Sequence, residues 1–366
     1  MLYFTQCSYT LKNVAILYPN FMPYIAFLFA FVISFVAVPS IRLLANNKGA
    51  VALPGKRHIH TKPTPKFGGI AIALGVLLIS PFIFTIDKII ASYLASSAIM
   101  LILGIIDDVK GTGWKLKLTI SIIATSIFIF GSGIWIKTLG NLFGTGEIYL
   151  GIWGIPFTYL AVFGIINAIN LIDGLNGLAC GVSAIAFITF AAFGYMDGNN
   201  TVFYLSLANM GATMGLFKYN YPDAKIFMGD SGSLFIGYSL SVLAILLTQG
   251  NRTIDPMVPV IVLGIPIFDT VRVMIFRSIN KKHPFSADKT HLHYLMMRSG
   301  TPSISVVKTI WLLSCLMSFL AFLLHSYEGW FMLLVFTDVA IVMGIFIENL
   351  RALKTIKKQN TLNISS

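Results

Sequence analysis

Two adjacent acids, Asp107 and Asp108, end an apolar run over residues 89–106 and begin a polar stretch over residues 109–117. Carboxylates this close resist ionising together unless a cation neutralises them, so the pair calls for a divalent metal ion or for one raised pKa. The alternative is a hydrated loop start at the end of a membrane span. The lysines that follow could hold a metal or phosphate between opposite charges, or simply neutralise the loop: Lys110, Lys115 and Lys117.

A second candidate is a polar stripe in which Asn167, Asn170 and Asp173 recur every three residues at the end of an apolar run. This spacing places them on one helical face, where they need partners in protein, water or ligand rather than lipid. Gly174 and Gly177 follow and allow backbone to approach a ligand closely. A helix cap would explain Asp173 alone but not the asparagines, so the stripe favours a site.

The run Gly-Asp-Ser-Gly-Ser at 229–233 is typical of a helix N-terminus. Free backbone N–H groups and the helix dipole favour anions there. Asp230 is therefore either a capping residue or a metal ligand beside phosphate-binding amides, since Mg²⁺ takes one or two carboxylates together with phosphate oxygens.

The last large polar loop contains His291 and His293 close to Lys289 and Arg298, a basic cluster suited to a diphosphate. Two histidines at i and i+2 do not share a helical face, so a metal pair on a helix is disfavoured. A surface loop is the simpler interpretation of the histidine pair alone. Just before this loop, the three-residue spacing of Asp269 and Arg272 indicates a local ion pair.

These motifs lie in a chain of 366 residues that is 56% hydrophobic and 11% charged, with a mean hydropathy of +0.82. Such a composition predicts an all-α polytopic membrane protein. About eleven apolar runs are long enough to cross the bilayer as helices. They cover residues 23–44, 68–86, 89–107, 117–135, 153–172, 178–196, 201–217, 233–249, 256–276, 304–324 and 329–349. Without a long polar linker, residues 22–349 are expected to form one membrane domain between an N-terminal segment, 1–21, and a basic tail, 350–366.

Lysine and arginine concentrate in alternate loops, which the positive-inside rule places in the cytoplasm together with the C-terminus. The N-terminus is then on the outer side, and the polar motifs share the cytoplasmic face of the membrane. This bias accounts for most of the net charge of +12, which suits anionic lipid and a phosphate substrate and gives no argument for nucleic acid. The three cysteines show no metal-binding spacing. A transporter would instead be expected to place ionisable groups near the bilayer midplane.

Together the motifs resemble the polyprenyl-phosphate N-acetylhexosamine-1-phosphate transferase family. The resemblance rests on DD at 107–108, NAINLIDGLNGL at 167–178, NYPDAKIFMGDSGS at 220–233 and PFSADKTHLHYLMMRSG at 284–300. It implies transfer of a sugar-1-phosphate from a UDP-sugar to a membrane polyprenyl phosphate, with release of UMP. The final motif is most similar to the branch that uses UDP-GlcNAc and undecaprenyl phosphate and initiates O-antigen or common-antigen synthesis. Another UDP-N-acetyl sugar (GalNAc or a 6-deoxy amino sugar), a non-catalytic homologue and a transporter stay open as alternatives.

The resemblance also implies roles for individual residues. Asp107, Asp108 and Asp173 would be catalytic, and Asp230 would be the main Mg²⁺ ligand together with Asp108, with Mn²⁺ as a substitute ion. Nucleotide and sugar-phosphate binding would fall to Asn170, Asn176, Asn220, Phe227, His60, Lys62, His291, His293 and Arg298. Expected partners are the UDP-N-acetyl sugar, undecaprenyl phosphate, the lipid bilayer and, as a further candidate, a second copy of the chain. Asn176 and Tyr294 stand where the family commonly has an acid and a histidine.

Overall fold

The computed structural model describes residues 21–52, 63–250, 253–281 and 290–364. The α-helices of these residues are numbered here in chain order: α1 Met22–Asn47, α2 Gly68–Ile83, α3 Lys88–Lys110, α4 Trp114–Ser132, α5 Gly154–Ile172, α6 Leu178–Met196, α7 Asn200–Asn220, α8 Gly229–Thr248, α9 Met257–Val262, α10 Gly264–Ile279, α11 Leu292–Arg298, α12 Ser303–Leu324 and α13 Gly329–Ile364. A short antiparallel ribbon joins β1 Val51–Ala52 to β2 Thr64–Pro65, an addition to the predicted all-α fold.

Eight helices among the described residues are long and apolar enough to cross a membrane: α1, α3, α4, α5 with its preceding turn, α6, α8, α12 and α13. A multi-pass membrane protein is therefore confirmed. The remaining predicted spans are also helical, but α2 has only 16 residues. The span predicted at 256–276 is divided at Leu263 into α9 and α10, where Pro266 fits the first turn of a new helix. The count of eleven spans, the orientation and the domain boundaries stay predictions.

The acid pair does not begin a loop. Helix α3 starts at Asp87, whose side chain accepts hydrogen bonds from the backbone N–H groups of Ile89 and Ile90, and it continues to Lys110. Asp107 and Asp108 therefore lie in its last turn, where both are buried. The interpretation of the pair as a hydrated loop start is wrong because the helix extends beyond the apolar run.

Helix α8 is the centre of the bundle, because its membrane-length segment is entirely buried and α2, α3 and α5 pack against it. Two glycines bring neighbouring backbones onto its first turn. A Cβ atom on Gly104 of α3 would lie 2.3 Å from the Cα of Ser231, and one on Gly69 of α2 would lie 1.9 Å from the backbone nitrogen of Gly232. These close approaches place the acid-bearing end of α3 beside the start of α8.

Deeper in the bundle, a buried polar chain joins α3, α7 and α8. The Tyr93 hydroxyl lies 3.0 Å from the Ser239 hydroxyl, and the Asn209 side-chain amide donates to the Tyr93 oxygen over 3.1 Å. Interhelical hydrogen bonds of this kind contribute about 0.6–2 kcal/mol each in membrane proteins. These hydrogen bonds fix the positions of the three helices relative to one another, deeper in the bundle than the polar motifs.

Replacing Gly104 by alanine should lower the midpoint of thermal unfolding in detergent, because the new methyl group collides with the backbone of α8. Overpacking of this kind costs about 1–3 kcal/mol. Gly164→Ala on α5 is the matched control, since a Cβ there meets no atom within 4 Å. Equal unfolding midpoints for the two variants would show that the α3–α8 contact is not tight.

Candidate active site

A cavity of about 510 Å³ opens where the ends of α3, α5 and α7 meet the start of α8. Eight of the residues implied by the resemblance line it: Asp107, Asp108, Asn170, Asp173, Asn176, Asn220, Phe227 and Asp230. Lys66 and Tyr294 also contribute to its wall. Residues from three motifs that are far apart in sequence thus share one cavity.

Asp108 caps the start of α8. Its Oδ1 accepts the backbone N–H of Asp230 over 2.9 Å, and its Oδ2 accepts that of Ser231 over 3.0 Å. The sequence correctly predicted a helix N-terminus here, but Asp108 rather than a ligand holds these two amides. Asp230 is therefore not the capping residue, and its side chain makes other contacts.

Lys117 links two of the acids across the cavity wall. Its Nζ lies 2.8 Å from Oδ2 of Asp107 and 2.9 Å from Oδ2 of Asp230. The other oxygen of Asp107 accepts from the backbone and the hydroxyl of Thr112. The spacing of the lysines suggested that opposite charges meet, but it did not show that only Lys117 of the three reaches both α3 and α8.

The polar stripe on α5 divides into two parts. Asn170 donates from Nδ2 to Oδ1 of Asp230 over 2.6 Å and to the Ser233 hydroxyl over 2.8 Å. Asn167 instead donates to the carbonyl of Phe163, so its partner is the backbone of its own helix. Of the three residues in the stripe, Asn170 and Asp173 line the cavity.

Asp173 follows the last residue of α5 and faces the cavity. Burial, and then the nearby charge of Asp108, raise its pKa to about 7. Within the described residues, no other side chain or backbone group donates a hydrogen bond to its carboxylate. Asp173 therefore differs from Asp107 and Asp108, whose oxygens have protein partners.

Two asparagines clamp the loop after α5 to the loop after α7. Asn220 accepts the N–H of Gly177 over 2.8 Å and donates to the carbonyl of Ile226 over 2.9 Å. Asn176 donates from Nδ2 to the carbonyl of Pro222 over 2.9 Å. An aspartate at 176 could not make this last contact, which gives the departure from the family pattern a structural consequence.

Phe227 reaches the cavity because its loop is paired with the chain that enters α2. Its N–H donates to the carbonyl of Pro65 over 2.7 Å, and its carbonyl accepts the N–H of Gly68 over 3.0 Å. The segment that includes Lys66 is thereby fixed against the start of α8. His60 and Lys62, which were expected to close the site from this side, lie outside the described residues.

The histidines lie behind the cavity wall. His291 and His293 are 3% and 1% exposed, so the surface-loop interpretation is wrong, and burial lowers the pKa of His293 to about 4. Neither lines the cavity, nor does the exposed Arg298 at the end of α11. His293 instead packs on Gly174 next to Asp173, where a Cβ would lie 2.2 Å from its Nε2. Their predicted substrate contacts stay predictions.

The predicted ion pair between Asp269 and Arg272 is confirmed, with Nη2 2.8 Å from Oδ1. Sequence reasoning missed the second partner of Asp269, the Nδ1 atom of His291 at 2.8 Å. The separation of 22 residues carries no periodic signal that could have indicated this contact.

The charges around the cavity suit a divalent cation. Among the described residues, four carboxylates line the cavity, those of Asp107, Asp108, Asp173 and Asp230. Positive charge comes from Lys66 in the cavity wall and from Lys117, which pairs with Asp107 and Asp230. In the described part of the chain no three acidic, histidine or cysteine side chains form a closed metal cage. Mg²⁺ in phosphate-processing sites needs only one or two carboxylates, because substrate oxygens and water complete its shell. The residues present therefore fit such an ion. Of the four carboxylates, that of Asp173 accepts no hydrogen bond from another group in the described residues.

Comparison with known proteins gives the same family as the motifs. The profile described as Glycosyl transferase family 4 matches residues 90–248, from α3 to the end of α8. A Bacillus subtilis protein named a probable undecaprenyl-phosphate N-acetylglucosaminyl 1-phosphate transferase is 36% identical over 327 residues, covering 88% of this chain and 91% of the relative. The Escherichia coli K12 undecaprenyl-phosphate alpha-N-acetylglucosaminyl 1-phosphate transferase is 29% identical over 87% of this chain and 90% of its own. A Mycobacterium tuberculosis H37Rv decaprenyl-phosphate N-acetylglucosaminephosphotransferase is 30% identical over 77% of this chain and 78% of its own. The resemblance inferred from the motifs is thereby confirmed, and the chain belongs to glycosyl transferase family 4, among the polyprenyl-phosphate N-acetylhexosamine-1-phosphate transferases.

Proposed function

We propose that this protein transfers GlcNAc-1-phosphate from UDP-GlcNAc to undecaprenyl phosphate and releases UMP. The observation that carries the proposal is the meeting of acids from α3, from the end of α5 and from α8 in one cavity at the ends of membrane helices. Relatives named for this transfer to undecaprenyl or decaprenyl phosphate support the acceptor class and the sugar.

The reaction is a phosphoryl transfer. An oxygen of the lipid phosphate forms a bond to the sugar-bearing phosphorus of the donor, while the bond from that phosphorus to the bridging oxygen breaks and leaves its electrons on UMP. A phosphate monoester has a second pKa of about 6 and is largely ionised at neutral pH, so the acceptor needs little help to lose a proton. Direct attack is therefore favoured over a phospho-aspartate route, and the site has mainly to position and neutralise its substrates.

The protein groups divide this work. Lys117 places a positive charge between Asp107 and Asp230, and Lys66 adds a second at the wall, so both can balance phosphate charge. A bound Mg²⁺, or Mn²⁺ in its place, would neutralise the diphosphate and is assigned mainly to Asp230. Both carboxylate oxygens of Asp108 accept backbone amides of α8, so Asp173 supplies the second carboxylate for the ion.

The nucleotide is assigned to the wall formed by Asn176, Asn220 and Phe227. The Phe227 ring supplies an apolar surface suited to uracil, and the asparagine clamp fixes the loop that carries it.

The setting follows from charge and hydropathy. Lys66, Lys117 and Lys218 lie on the same ends of the helices as the cavity, so the site is assigned to the cytoplasmic face of a bacterial inner membrane, with the N-terminus periplasmic and about eleven spans. The product would initiate a lipid-linked glycan of the O-antigen or common-antigen type. We also propose that two copies of the chain form a homodimer in the membrane.

Purified protein with undecaprenyl phosphate and Mg²⁺ should release UMP from UDP-GlcNAc, and EDTA should stop it because the acids then lack their neutralising cation. UDP-GalNAc in a parallel reaction tests the sugar. Release only from UDP-GalNAc would overturn the donor assignment, and silence with both donors and with a 6-deoxy amino sugar donor would contradict the transferase.

Replacing Lys117 by methionine should lower turnover roughly 100-fold or more, the usual loss when one preorganised charge is removed from a reacting group. The long apolar side chain keeps the volume, so the loss reports the charge. Lys115→Met is the control, because Lys115 is exposed and lies over the Trp114 ring outside the cavity. Similar turnover in the two variants, measured as UMP release, would contradict the role of Lys117.

Asparagine substitutions should distinguish the role of Asp230 from that of Asp108. Asp230→Asn should abolish turnover with little change in the unfolding midpoint, because its amide oxygen can still accept from Asn170 and Lys117 keeps Asp107 as its partner. Asp108→Asn should also lower the midpoint, since its new NH₂ group faces a backbone N–H of α8 and leaves a buried donor unpaired, at about 1–3 kcal/mol.

The control for both is Asp197→Asn, a half-buried residue that bonds to Thr253 away from the cavity and should retain normal turnover. Normal turnover in the Asp230 variant would remove its metal role. An unchanged midpoint in the Asp108 variant would show that the cap contributes little to stability.

A further inference from the structure

The start of α11 is held by an acid on another helix. Oδ2 of Asp269 lies 2.8 Å from Nδ1 of His291, and Oδ1 accepts the backbone N–H of Leu292 over 2.9 Å. Asp269 and His291 are 4% and 3% exposed. One carboxylate therefore fixes both the imidazole ring and the first turn of the helix that carries it.

The charge of Asp269 is already balanced. Arg272 lies 2.8 Å from its Oδ1 and also donates to the carbonyl of Thr290 over 2.6 Å. The carboxylate that faces Nδ1 of His291 can only accept a hydrogen bond, so the tautomer that fits this contact carries its proton on Nδ1.

The other nitrogen of the ring is left as an acceptor. Nε2 of His291 is buried and has no hydrogen-bond partner within the described residues. The His291 ring is nearly parallel to that of His293, at 6.1 Å between centroids, and His293 packs on Gly174 in the cavity wall. The next residue, Tyr294, lines the cavity. The first turn of α11 is thus part of the structure that shapes the site.

We propose that Asp269 is a positioning residue for the transfer, holding His291 as the Nδ1–H tautomer and docking α11 against the cavity wall. The inference rests on the proposed function.

The kinetic test is Asp269→Asn. The amide oxygen can still accept from Arg272 and Leu292, but the NH₂ group now faces Nδ1 of His291, so the ring has to move its proton to Nε2. A wrong tautomer in an acid–histidine pair is known to be severe, and we expect kcat/KM of the folded enzyme for UDP-GlcNAc to fall roughly 100-fold or more. The unfolding midpoint should fall as well, because Arg272 then keeps a buried charge without a carboxylate partner. Arg272→Lys is the matched control, since it keeps the positive charge and the tautomer, and its loss should be far smaller. Equal losses in Asp269→Asn and Arg272→Lys would overturn the positioning role.

The tautomer is measured directly by nitrogen NMR of protein labelled with ¹⁵N-histidine in detergent, using His291→Gln to assign the signal. The wild-type signal should show the proton on Nδ1, and Asp269→Asn should show it on Nε2. A wild-type ring protonated on Nε2 or on both nitrogens would overturn the proposal. This measurement needs no turnover, so failure of the transferase assay and failure of the tautomer assignment are distinguishable.

Discussion

The contact between the Asp108 carboxylate and the first amides of α8 determines the arrangement of the site. Residues 231–248 of helix α8 are all buried, and the amides at its start have no carbonyl of their own helix to reach, so they need an acceptor from elsewhere. Asp108 supplies it from the last turn of α3. This contact joins two helices at the polar end of the bundle. It also directs the Asp230 side chain away from the cap, to Lys117 and Asn170.

A consequence is that the four cavity acids are not equivalent. Asp108 is held by helix amides and Asp107 by Lys117 and Thr112, so their charges are partly balanced inside the protein. Asp173 has its pKa raised by burial and by Asp108, and it has no comparable partner recorded in the described residues. The surplus of negative charge lies on the side where a metal ion and substrate phosphates would balance it. Metal and donor would therefore be expected to bind cooperatively rather than independently.

Sequence alone predicted the membrane class and most helices, because apolar length is a local property that lipid enforces. It also located the acids that share the cavity, since acids at span ends are rare. It could not predict Lys117 with Asp230 or Asp269 with His291, because contacts across 113 and 22 residues leave no periodic trace. The asparagine stripe was only partly informative. Asn170 and Asp173 line the cavity, whereas Asn167 lies nearly one turn further along α5 and donates to its own helix.

Asp108 and Asp269 have the same structural role in a protein interior that excludes water. Asp108 is buried in the last turn of α3 and Asp269 is buried within α10, and each accepts backbone N–H at the start of another helix, α8 or α11. Each also lies next to the proposed chemistry, so removing it disturbs a helix start and the site together. Loss of activity on replacing such an acid therefore does not identify it as a group that touches substrate. The acids whose oxygens face the cavity, Asp173 and Asp230, are the ones for which activity loss without destabilisation carries that meaning.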